Sequence, residues 1–170
     1  MTVVLSPQPE IAELIARRRR LGLDSHDEVW EGSYHVAPEA HVRHGWTQTY
    51  LQVRLVELAD AVGLSVTAEL NLGTPQDYRV PDFAVHEHEP SGVWVPTALI
   101  VGEVLSPDDE TWAKLPFYAA RGVEEVFVAD PVARTVRVFV LSDGAYEETD
   151  RSARLQTSTE QLAAIRWPSG

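Results

Sequence analysis

Apolar residues recur along the chain at two periods. Leu51, Leu55, Leu58, Ala59 and Val62 repeat at helical spacing and predict a helix from about His44 to the natural stop at Gly63. An earlier helix is expected over Pro7 to Leu21, capped by Ser6, with Pro7 at its first position and Gly22 at its end. At a period of two, Leu64, Val66, Ala68, Leu70 and Leu72 predict a strand that runs into a turn at Gly73-Thr74-Pro75. Val29 to Val36, and Arg79 to His86 opened by Pro81, read as further strands. Ala98 to Leu105 (ALIVGEVL) is the densest apolar run and suits a central strand buried on both faces. After Ser106-Pro107 a helix is expected from Glu110 to Arg121, closed by Gly122. Strands follow at Glu125 to Ala129 and Arg134 to Leu141, with a hairpin at Ser142-Asp143-Gly144. The order is helix, strand, helix, then strands interrupted by one helix, which predicts an α/β fold: a mixed sheet with helices on its faces.

The 170 residues suit a single domain over 1–170, with an N-terminal helix at about 7–21 and a core at about 29–141. With 44% hydrophobic and 24% charged residues, the composition is that of a soluble globular protein. The absence of cysteine excludes disulfides, thiolate metal sites and cysteine nucleophiles. No apolar run is long enough for a bilayer, and the first charges follow the first apolar stretch rather than preceding it, so neither a membrane nor a signal peptide is expected. The cytoplasm is the expected location. A net charge of −12 argues against a protein that simply coats DNA, but acidic residues must gather wherever a cation binds. The run Arg17 to Arg20 reads as a solvated helix face.

Glu103 is out of place inside ALIVGEVL. A buried carboxylate is expensive unless a cation or basic side chain pairs with it, and burial predicts that it titrates above an ordinary glutamate. Asp82 follows Pro81 at the start of another strand. Two carboxylates on neighbouring strands can hold a hard cation such as magnesium, with water completing the shell. Lys114, the sole lysine, falls about one turn into the helix after Glu103. From there its ammonium could orient a water or stabilise charge developing on a phosphate. The competing cluster His86-Glu87-His88-Glu89 would favour a transition metal; its place before Pro90-Ser91-Gly92 reads better as an exposed strand end.

The ordered set Val80-Pro81-Asp82, Ile100-Val101-Gly102-Glu103-Val104-Leu105-Ser106-Pro107, Lys114-Leu115-Pro116-Phe117-Tyr118, Gly122-Val123 and Asp130-Pro131 resembles the Uma family. That family, formerly a domain of unknown function, groups restriction endonuclease-like proteins of the PD-(D/E)XK nuclease superfamily. The resemblance spans about Glu31 to Leu141. It implies a mixed four-stranded core sheet flanked by helices, and Asp82 and Glu103 as ligands of Mg2+ or Mn2+. In the superfamily pattern a lysine stands two positions after the glutamate. Here that position is Leu105, and the resemblance implies that Lys114 on the next helix takes the role. It also matches Glu31-Gly32 and His44-Gly45, which implies a supporting carboxylate at Glu31 and a phosphate or water contact at His44; a surface strand residue and a helix-start residue are the alternatives.

The resulting expectation is a metal-dependent endonuclease acting on phosphodiester bonds, with DNA as partner by resemblance. With no separate recognition segment, strong site specificity would require a homodimer or a partner. A non-catalytic binding module of nuclease fold and a metal-dependent hydrolase of small phosphoesters are the alternatives.

Overall fold

The computed structural model describes residues 2–5, 9–107 and 110–169. A short strand, β1 (Val3–Leu5), precedes helix α1 (Pro9–Arg20); the expected cap at Ser6 and Pro7 lies outside the described residues. In the arginine run, Arg17, Arg19 and Arg20 are exposed. Arg18 instead donates from Nε and Nη2 to the two oxygens of Asp27 at 2.7 and 2.9 Å. Asp27 also accepts from the Tyr34 hydroxyl and the Ala37 N–H, so this pair ties α1 to the strands that follow.

The expected strand at 29–36 is a hairpin, β2 (Glu28–Trp30) and β3 (Ser33–Val36). Its two-residue turn is Glu31-Gly32, with φ of 48° and 87°, the positive values that a tight hairpin of this kind requires. Helix α2 (Val42–Ala61) is capped by His41, whose ring accepts from the Arg43 N–H, and buries Thr47, Leu51, Leu55 and Ala59. The expected strand at 64–72 is two strands, β4 (Ser65–Thr67) and β5 (Asn71–Thr74), in different sheets. Strand β6 (Asp77–Arg79) returns from the turn at Pro75-Gln76, and β7 (Phe83–His86) begins only after Pro81, whose missing N–H cannot continue a ladder. Next come β8 (Trp94–Val95), β9 (Ile100–Val104), helix α3 (Thr111–Ala120), β10 (Glu125–Asp130), β11 (Thr135–Ser142) and β12 (Ala145–Thr149). The C-terminal region folds as a small ribbon, β13 (Arg151–Ser152) and β14 (Thr157–Ser158), and helix α4 (Thr159–Leu162).

One sheet has the order β12-β11-β10-β9-β7-β4, and a second the order β1-β3-β2-β6-β5-β8. In the first sheet only β9 and β10 run parallel, as a crossover through α3 demands. This mixed sheet is wider than the four-stranded core that the resemblance implies. Helices α2 and α4 cover one face, packing Leu51, Leu55 and Leu162 on Phe83, Val85, Ile100, Phe127 and Val138. Helix α3 covers the other face with Phe117 and Tyr118 against Ala84, Val101, Val126 and Val128. The second sheet backs α3 from outside: Arg79 lies 4.1 Å from the Phe117 ring. Helix α3 is thus wedged between the two sheets. No helix among the described residues is long and apolar enough to cross a membrane.

Candidate metal and phosphoester site

Strands β7 and β9 pair antiparallel with Phe83 opposite Gly102. Continuing that register by one residue sets Asp82 across from Glu103, on the face that α3 covers. The opposition needs glycine at position 102, since a Cβ there would lie 1.7 Å from the Phe83 ring. The Asp82 N–H donates to the Gly102 carbonyl, and its carbonyl accepts from Gln48 and Gln52 of α2, each at 3.0 Å. Its carboxylate accepts the Val104 N–H at Oδ2 (2.6 Å) and meets His44 Nε2 at Oδ1 (2.8 Å). In the neutral ring with a proton on Nε2, Nδ1 accepts from the Ser106 hydroxyl at 3.0 Å.

Glu103 is buried. Its Oε1 accepts from the Tyr118 hydroxyl at 2.5 Å, and Lys114 Nζ lies 3.2 Å from the carboxylate. Lys114 and Tyr118 stand four residues apart on α3 and so share a face. Lys114 is the fourth residue of the helix and Pro116 the sixth, past the free N–H groups of the helix start, so the proline leaves the Trp112 carbonyl without its i→i−4 donor. The ammonium also reaches Glu28 Oε1 at 3.0 Å. Glu28 in turn accepts the Val80 N–H at 2.7 Å and the Trp30 indole N–H at 2.5 Å. Trp30 stacks on His35 at 4.3 Å and carries the Arg79 guanidinium over its other side at 4.3 Å.

The structure therefore brings together Asp82, Glu103, Lys114 and His44. Glu31 is exposed in the β2–β3 turn, and the carboxylate that the same hairpin sends to the cluster is Glu28. A sequence signal for Glu28 existed: with Val29 facing α1, a period of two turns Glu28 and Trp30 to the opposite side. Of the histidine cluster, His86 is buried and bonded to Thr67 at 3.0 Å, whereas His88 is exposed beyond the strand end.

Burial pushes the Glu103 carboxyl up to about 8; Asp82 and Glu28 add to the push, while Lys114 and the Tyr118 hydroxyl oppose it. For Lys114, burial pulls downward, but the Glu103 and Glu28 carboxylates outweigh it and hold the ammonium above the usual lysine range. Asp82, Glu103 and Glu28 together face a single lysine, so the cluster carries more acid than base. Carboxylate oxygens keep spare lone pairs after one hydrogen bond each, and this hard donor set fits magnesium or manganese. Among the described residues no three His, Asp or Glu side chains converge on one ion, so the fit is to a cation held by two carboxylates.

The structure thus has a mixed sheet flanked by helices, with an acidic pair on adjacent central strands and a lysine beside them. The model of the Uma2 family, described as "Putative restriction endonuclease", matches residues 15–166, and the chain belongs to that family. The fold is similar to the crystal structure of a putative nuclease belonging to DUF820 from Anabaena variabilis ATCC 29413. The TM-score is 0.66 at 17% identity, covering 81% of this chain and 89% of that one. No curated protein matches the chain.

Proposed function

We propose that this protein is a metal-dependent endonuclease that hydrolyses phosphodiester bonds in DNA. The observation that carries the reading is the opposition of Asp82 and Glu103 across β7 and β9 with Lys114 against them; membership of the family supports it. Asp82 and Glu103 would hold magnesium or manganese, which when bound would supply Lewis acidity and lower the pKa of a coordinated water. His44 keeps the Asp82 carboxylate turned, with Ser106 setting the ring. Lys114, in the first turn of α3, orients the attacking water or meets the charge developing on the phosphate. The −12 charge favours a second reading, a hydrolase of small phosphoesters.

Cleavage of plasmid DNA with magnesium or manganese, run beside a small phosphodiester, separates the two. The wild-type protein should nick or linearise the plasmid, and Glu103→Ala should abolish this. Lys114→Ala should slow cleavage by roughly 100- to 1000-fold with metal affinity nearly intact. Equal cleavage by Glu103→Ala would remove this site from the reaction, and turnover of the small ester alone would favour the second reading.

A further inference from the structure

Lys114 is held between two buried carboxylates on different sheets: Glu103 of β9 at 3.2 Å and Glu28 of β2 at 3.0 Å. The two acids are held differently. The Glu103 carboxylate is bonded by two side chains of α3, Tyr118 and Lys114. Glu28 is fixed to the framework by the Val80 backbone N–H on one oxygen and the Trp30 indole on the other. Trp30 is itself clamped between His35 and Arg79, and Arg79 between Trp30 and Phe117.

We propose that Glu28 is a positioning residue that keeps the Lys114 ammonium in the site when a divalent cation takes over Glu103. The inference rests on the metal reading of Asp82 and Glu103 given above. A cation on Glu103 repels the ammonium that shares that carboxylate. Lysine has a long flexible stem and a strongly hydrated head, so without a second anchor it would turn out to water. Glu28 supplies that anchor. With both oxygens committed to fixed donors, it neither follows the lysine outward nor swings in to join the cation.

Because Lys114 is the only lysine, acylation by an amine-reactive reagent at fixed pH, read by peptide mass spectrometry, follows one ε-amine apart from the chain terminus. Wild-type Lys114 should stay protected with or without magnesium. In Glu28→Gln, adding magnesium should raise its labelling rate at least tenfold, and calorimetry should find magnesium affinity within a few-fold of wild type. In plasmid cleavage, the Glu28→Gln, Lys114→Ala double variant should be no slower than Lys114→Ala, because the two residues act as a unit; a purely structural Glu28 would give additive losses. Magnesium that exposes Lys114 in the wild-type protein, or leaves labelling of Glu28→Gln unchanged, overturns the inference; the wild-type arm decides even if the variant fails to fold. An affinity loss of a hundredfold in Glu28→Gln also overturns it, making Glu28 a ligand instead. Wild-type protein that binds no magnesium overturns the metal reading itself, and the inference with it.

Discussion

Glu103 has two states with different consequences for folding. Its carboxyl is raised from 4.5 to about 8, first by burial and then by Asp82 and Glu28. Between those values the folded protein binds a proton that the unfolded chain has released, so the stability this group contributes is full below about 4.5 and is lost as pH rises to about 8. Unfolding by urea in a chelator should show that decline, and Glu103→Gln should flatten it; a wild-type slope that Glu103→Gln leaves unchanged would assign the titration elsewhere. Glu103 was legible in the sequence because a charge inside ALIVGEVL demands a partner. Burial alone was not the signal. Glu125 is equally buried in β10, yet its oxygens accept from the Ser152 hydroxyl and the N–H groups of Ala153 and Arg154, which makes it a brace for the C-terminal ribbon. Glu28 escaped notice because Glu31-Gly32 stands out in the sequence while owing its form to the hairpin turn.

At the scale of elements, helices α2 and α3 and the central strand follow from the pattern of apolar positions. The break at 64–72 does not. Its alternation is continuous, but Ala68 to Leu70 carry the chain from one sheet to the other, and the choice of sheet depends on pairing partners distant in sequence. Strand β9 rests on Gly102, whose missing side chain admits the Phe83 ring. Gly102→Ala should destabilise the protein by about 3 kcal/mol, the upper range for overpacking, since a buried ring has nowhere to move. The midpoint of urea unfolding checks this, and a shift under about 0.5 kcal/mol, the size of an ordinary surface change, would mean that β7 and β9 separate easily. The same strain should pull Asp82 from its place opposite Glu103, so the variant should also bind magnesium more weakly.

For the whole molecule, a cation that binds only the folded state adds stability by mass action, about 2.7 kcal/mol at a hundred times its Kd. Magnesium or manganese should raise the unfolding temperature of the wild-type protein, and the Asp82→Asn, Glu103→Gln double variant should lose that response. A full response in the double variant would place the ion elsewhere.

The site draws on widely separated stretches of the chain: Glu28 from one sheet, His44 from α2, Asp82 and Glu103 from the other sheet, and Lys114 and Tyr118 from the helix between. During synthesis, therefore, the constellation cannot exist until α3 has emerged. Even then β9 lacks its parallel neighbour until β10 follows, and β10 is an open edge until β11 pairs with it. A chain interrupted anywhere before that point carries the acids without the framework that aligns them. The complete constellation therefore becomes available only late in synthesis, once α3, β10 and β11 have all followed β9.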